Sequence, residues 1–267
     1  MSTEHTDADA FIKEGIRFFE RGDFDNAIMC FTEVLKLAPN NVDAKKLLAS
    51  AYTNRGVAYY NKGDCDRALA DFTQATELDP NYAEAYYNRG LAYARKGDDD
   101  RALADYTQAI RLAPNLAAAY YNRGLAYTRK GDDDRALADY TQAIRLAPNL
   151  AAAYNNRGGV YARKGDNNRA FADFTQAVRL DPTNASACYS RGIVYARKGD
   201  YDRAIADFTQ ALALDPTNAS AYYNRGVAYH NKGDYDQAIA DLTQAIRLNP
   251  NDADAKEGLE TARRRGR

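Results

Sequence analysis

The chain has 267 residues with 36 Lys and Arg against 37 Asp and Glu, a formal net charge of −1, and that balance removes the simplest electrostatic case for a nucleic-acid or membrane partner. With 45% hydrophobic residues a sizeable core is available, and no run of about 18 apolar residues offers membrane insertion. Cys30, Cys65 and Cys188 are odd in number and lack a Cys-x-x-Cys pair, while His5 and His230 are too few to build a metal site. Neither a metal nor any other cofactor is expected. Residues 1–20 are acidic and show no basic segment followed by an apolar one, so no secretory signal is visible and a cytoplasmic setting is expected.

The chain repeats itself every 34 residues. Residues 83–116 and 117–150 differ only at Glu84/Ala118 and Ala94/Thr128, and an Asn-Arg-Gly element recurs or is echoed at Gly56, Gly90, Gly124, Gly158, Gly192 and Gly226. A more divergent copy precedes them around Gly15, and from Gly15 to Gly56 the interval is 41. The seven extra residues make about two helical turns, which lengthens a helix without rotating its apolar face. One long helix is therefore predicted over 42–61. Residues 1–7 are expected to form a tail.

Within a copy, Tyr86, Gly90 and Tyr93 fall at i, i+4, i+7, and Ala102, Tyr106 and Ala109 repeat the pattern after a Lys-Gly-Asp break. That is a pair of amphipathic helices. Gly97 suits a left-handed residue ending the first, Asp98 or Asp100 can cap the second, Pro114 stops it, and Asn115 can cap the next. Gly90 also has a packing role: without a side chain it lets Ala102 and Tyr106 approach. Residues 253–264, with Ala255, Leu259 and Ala262 at helical spacing, suit a C-terminal capping helix ending in a basic tail.

Tyr86, Gly90, Tyr93, Ala102, Tyr106, Ala109 and Pro114, at this spacing, resemble the tetratricopeptide repeat. The resemblance covers seven copies (8–41, 49–82, 83–116, 117–150, 151–184, 185–218, 219–252, with 42–48 a helix extension), followed by the cap and tail at 253–267. Three departures stand out. Arg55, Arg89, Arg123, Arg157, Arg191 and Arg225 precede the glycine where the family has an apolar residue, Cys188 replaces an aromatic, and Leu242 replaces another. The fold implied is all-α, a right-handed superhelical solenoid of seven helix pairs and a capping helix, because one pair cannot cover its own apolar face and copies must stack.

Enzymatic chemistry has no support. Neither a Ser-His-Asp nor a Cys-His set can be assembled, and the Asp runs 98–100 and 132–134 lack EF-hand spacing. What remains is a surface. The resemblance implies that the first helix of each pair lines a concave face, so the residues outside its core should meet a ligand. Asn54, Asn88, Asn122, Asn156 and Asn224, interrupted by Ser190, form a row of amides able to pair with the backbone of an extended peptide. Arg95, Arg129, Arg163 and Arg197 lie two turns further on and favour carboxylates, unless they form a solvated face with local Asp partners. Tyr87, Tyr121, Tyr189 and Tyr223 supply flat amphipathic contacts. The expected function is a non-catalytic scaffold or adaptor binding an extended, acidic protein segment.

The other end of this face is apolar: Ile12, Ile16 and Phe19, continued by Val57 and Tyr60. It could take a hydrophobic anchor, be covered by Leu47 and Leu48, or mate with a second copy, so the alternative is a self-assembling, homo-oligomeric scaffold. RNA along the basic row is a third reading. Finally, each Arg before the glycine co-occurs with Asp71, Asp105, Asp139, Asp173, Asp207 or Asp241, and the first copy, with Glu14 and Cys30 there, has neither. A structural Arg–Asp pair within each copy is predicted, which would withdraw these arginines from any ligand.

Overall fold

A computed structural model describes residues 2–266. The side chains of residues 2–6 lie outside the described set together with Met1 and Arg267, so the expectations placed on His5 and on the last arginine of the tail fall there. The described residues form fifteen α-helices. The chain divides into two compact units, Met1–Leu146 and Ala147–Arg267.

The first unit holds α1 (Ser2–Glu20), α2 (Phe24–Leu37), α3 (Val42–Asn61), α4 (Cys65–Leu78), α5 (Ala83–Arg95), α6 (Asp99–Leu112), α7 (Ala117–Arg129) and α8 (Asp133–Leu146). Consecutive helices pair as α1/α2, α3/α4, α5/α6 and α7/α8, and each pair packs on the next. The second unit holds α9 (Ala151–Arg163), α10 (Asn167–Leu180), α11 (Ala185–Arg197), α12 (Tyr201–Leu214), α13 (Ala219–Lys232), α14 (Tyr235–Leu248) and α15 (Ala253–Arg265). It is built the same way, with α15 packed mainly on α14. Because α1 starts at Ser2, the segment expected to be a tail is helical from its second residue.

The local signals work as the sequence suggested, with one correction. Gly97 has φ +81°, a left-handed conformation that costs glycine little, and Asp98 accepts from the Arg101 backbone N–H at 3.1 Å to cap α6. Asn115 does not cap α7. The N-cap is Leu116, one residue later, and it makes no side-chain hydrogen bond. Where asparagine stands at that register, as in Asn41, Asn184 and Asn218, its side chain accepts from the third residue on.

The core is made of small residues and one large knob per pair. A Cβ built on Gly90 would lie 2.7 Å from Cε1 of Tyr106, and one on Gly124 would lie 2.8 Å from that of Tyr140. Gly15, Gly56, Gly158, Gly192 and Gly226 face Phe31, Phe72, Phe174, Phe208 and Leu242 in the same way. Each second helix thus drops a bulky side chain onto a bare stretch of the first. In α3 the extra turns remain amphipathic: Ala44, Leu48 and Ala51 are buried, with Leu48 and Ala51 against Ala27, Ile28 and Phe31. In α15, Ala255, Leu259 and Ala262 are buried.

Candidate functional site

The six arginines before the glycines are built into the scaffold. Arg55, Arg89, Arg123, Arg157, Arg191 and Arg225 each chelate an aspartate on the second helix, Nε to Oδ2 and Nη2 to Oδ1, at 2.6–2.8 Å. The carboxylates of Asp71, Asp105, Asp139, Asp173, Asp207 and Asp241 are buried. Arg89 sits over the ring of Tyr86 at 5.4 Å and sends Nη1 to Thr76 Oγ1 at 2.9 Å, so it ties together its own helix, its partner helix and the preceding pair. Arg123 and Arg225 reach Thr107 and Thr209 likewise. Hydrogen bonds to the aspartates hold all six guanidinium pKa values above their ordinary range, against desolvation that works the other way. The charge of each is met inside the scaffold by a buried carboxylate, which sets these arginines apart from the row at Arg95 and Arg129.

The asparagine row is half committed. Asn54, Asn122 and Asn224 each donate from Nδ2 to the carbonyl four residues back, Ser50, Ala118 and Ser220, at 2.9 Å. Asn122 also donates to the Tyr87 hydroxyl at 3.1 Å and Asn224 to that of Tyr189 at 3.0 Å. Both amide hydrogens of Asn122 and Asn224 are therefore used. Oδ1 is what Asn122 and Asn224 can still offer, acceptors rather than the donor-acceptor pairs expected of them. The tyrosines are half-buried for the same reason: Tyr87, Tyr121 and Tyr189 also tilt against Tyr106, Tyr140 and Phe208, with centroids 6.1, 6.0 and 5.8 Å apart. Asn88 is half-buried, as is Asn156 in the second unit.

Of the basic row, Arg95 and Arg129 converge within the first unit. They line a cleft of about 360 Å³ with Tyr60, Leu91, Ala94, Tyr106 and Asn122. Arg95 lies over the Tyr60 ring at 5.0 Å and donates Nη1 to the Tyr60 carbonyl at 2.8 Å. Arg129 is paired, Nε to Asp99 Oδ1 at 2.9 Å and Nη2 to the same oxygen at 2.5 Å. Asp99 thus stands beside Arg129 as a local partner. Arg163 and Arg197, both exposed, stand on the second unit.

The apolar group is partly covered by its own core. Ile16 and Phe19 pack on the cluster of Ala27, Ile28, Phe31, Leu48 and Ala51, Ile12 packs on Ala8, Val34 and Ala44, and Val57 and Tyr60 pack on Ala68, Phe72 and Ala92. Leu47 joins the first of these clusters. Cys30 and Cys188 are buried, and burial raises both thiol pKa values. Among the described residues no group of three or more His, Cys, Asp or Glu could hold a metal ion, and no helix is long and apolar enough to cross a membrane. The threonine acceptors of the arginine staple were missed from sequence, although Thr107 and Thr209 belong to a 34-residue series as regular as the arginines themselves.

Repeated helical hairpins with a glycine-knob core and a polar face on the first helices define a helical-repeat scaffold. Tetratricopeptide-repeat profiles match residues 53–117, 189–253 and 231–259, and, for a second profile, 15–81 and 149–217; related ones match 124–165 and 105–138. The chain belongs to the tetratricopeptide repeat family, whose members are typically non-catalytic scaffolds. No curated protein matches the sequence. Among solved structures, the chain is similar to YrrB, described as a TPR protein with an unusual peptide-binding site, at 28% identity over 71% of this chain and 97% of that one, TM-score 0.62. It is similar to MamA at 28% identity over 62% of this chain and 96% of that one, TM-score 0.56. PilF of Pseudomonas aeruginosa shares the fold at 19% identity over 83% and 100%, TM-score 0.74.

Proposed function

We propose that this protein is a non-catalytic adaptor that holds an extended, acidic segment of another protein along the polar face of its first helices. The observation that carries this is the cleft of Tyr60, Arg95, Asn122 and Arg129. Arg95 commits one hydrogen bond to the Tyr60 carbonyl, and a guanidinium has five N–H donors in a fixed fork. The rest can take a carboxylate of the guest while Asn122 Oδ1 accepts a backbone N–H. The aromatic rings give the site area at little entropic cost. YrrB, with its peptide-binding site, supports the class of ligand. Such a protein needs no cofactor and no nucleic acid.

The test is calorimetry of the full chain with an extended peptide carrying Asp and Glu, against the same peptide with Asn and Gln. Binding of the acidic peptide alone, weakened at least tenfold by Arg95→Glu with Arg129→Glu, is the expected result. Equal binding of both peptides, or binding indifferent to the double substitution, removes the acidic-ligand claim. Light scattering at several concentrations, comparing wild type with Phe19→Asp, addresses the homo-oligomeric alternative, in which Ile12, Ile16 and Phe19 meet a second copy.

A further inference from the structure

The asparagine row ends at a glycine. Tyr87 is held by Asn122, and Tyr189 by Asn224, each 35 residues on; the residue 35 after Tyr223 is Gly258, on α15. Among the described residues the Tyr223 hydroxyl has no hydrogen-bond partner. The knob beneath it is also smaller, since Leu242 stands where Tyr106, Tyr140 and Phe208 pack under the earlier tyrosines. Losing the amide and trimming the aromatic open a cavity of about 250 Å³ between α13, α14 and α15.

Its walls carry the opposite charge to the rest of the row. Asp254, Glu257 and Thr261 line it from α15, and Tyr223, Val227 and His230 from α13. No Lys or Arg lines it, and among the described residues neither Asp254 nor Glu257 forms an ion pair. Burial first, and then the fields of Asp254, Asp252 and Glu257, hold the Tyr223 hydroxyl above its ordinary pKa, so the ring stays neutral. His230 rests edge-on to Tyr235 at 5.4 Å, and its Nε2 is screened from solvent with no hydrogen-bond partner. An open-mouthed pocket with two carboxylates free of ion pairs and an aromatic face is chemically complementary to a cation. Its volume suits one long side chain rather than a small molecule of drug size.

We propose that this pocket binds one basic side chain, arginine or lysine, of the guest segment, between the carboxylates of Asp254 and Glu257 and the ring of Tyr223. This rests on the first helices being the binding face. It gives the guest a second requirement beside acidity, a basic residue read by α13 and α15 alone.

A capped single residue tests the pocket without the longer peptide. The probe is Nα-acetyl-arginine N-methylamide added to the full-length, nitrogen-labelled chain, with the isosteric citrulline compound as neutral control, followed at the amides of Gly258 and Thr261. Saturable shifts with arginine, at least tenfold weaker with citrulline, are expected. They should vanish in Asp254→Asn with Glu257→Gln, and also in Gly258→Asn, which refills the cavity without changing charge; thermal melts check that both variants fold. Equal shifts from both probes, or arginine binding that survives the double substitution, would overturn the proposal. So would dimerisation of the unliganded chain that the same double substitution abolishes, because the pocket would then belong to a second copy. Failure here leaves the Arg95–Arg129 result standing, and failure there leaves this one.

Discussion

Arg89 grips Asp105 across sixteen residues with two parallel hydrogen bonds of 2.8 Å, while its remaining nitrogen reaches Thr76 on the preceding pair. The side chains are 18% and 7% exposed, so each charge is largely withdrawn from water and neither can lose its partner cheaply. Asp105→Leu alone should cost about 3 kcal/mol, near the low end for a broken buried pair because Arg89 keeps some solvent. Asp105→Leu with Arg89→Leu should recover most of that, since two apolar groups leave nothing unsatisfied. Urea denaturation of the two singles and the double gives the coupling. Additivity within about 0.5 kcal/mol would show the pair to be energetically idle.

Two adjacent glycines in α9 should respond in opposite directions. A Cβ on Gly158 would sit 2.9 Å from Cε1 of Phe174 and 3.2 Å from Cβ of Asp173, whereas one on Gly159 meets nothing within 4 Å. Gly158→Ala forces α10 outward and should destabilise by about 1–3 kcal/mol. Gly159→Ala removes a flexible residue from a helix interior and should stabilise by about 0.5–1 kcal/mol. Melting temperatures moving the same way in both variants would contradict the knob-on-glycine packing.

The staple is incomplete at the joint between α10 and α11. Arg225 donates Nη1 to Thr209 Oγ1 at 2.9 Å, but the matching hydroxyl of Thr175 is screened from solvent with no partner, and Cys188 stands there in place of the tyrosine that Arg225 covers in Tyr222. Thr209→Val should therefore cost about 1 kcal/mol, the net value of a hydrogen bond. Thr175→Val should be neutral or stabilising, because it removes an orphaned polar atom. Denaturation of the two variants side by side checks this, and a larger loss at Thr175 than at Thr209 would refute it.

The fold was legible because one pattern is written many times over. A 34-residue period, a glycine four residues after an aromatic and a proline at each unit's end leave little freedom, and even the 41-residue interval was readable as α3 because two extra turns preserve the face. The site was less legible. Periodicity puts Asn122 and Tyr87 on one face, but it does not say that the amide hydrogens are consumed by Ala118 and Tyr87, since that depends on the offset between neighbouring first helices. Likewise Arg129 faces Asp99 only because successive pairs are stacked at a particular rise. The Arg–Asp pairs could be read from sequence alone, because both partners vanish together in the first copy.

Stability should be flat from neutral to mildly alkaline pH and should fall on the acid side, for a reason seated in the helix caps. The carboxyls of Asp64, Asp98, Asp132, Asp166 and Asp200 are held below their ordinary range. For Asp98 the first cause is the backbone N–H of Arg101 and the second its side chain. A carboxyl with a depressed folded pKa contributes stability that is complete above the unfolded value, about 3.9, and is lost as pH falls through the folded one. The arginines of the staple have raised values, so their contribution is complete throughout the working range and adds no slope there. Replacing the five cap aspartates by asparagine, an equally good cap, should leave the melting temperature at pH 7 within a few degrees of wild type while blunting its decline between about pH 4.5 and 2.5. An acid limb unchanged by the five substitutions would place the sensitive carboxylates elsewhere in the chain.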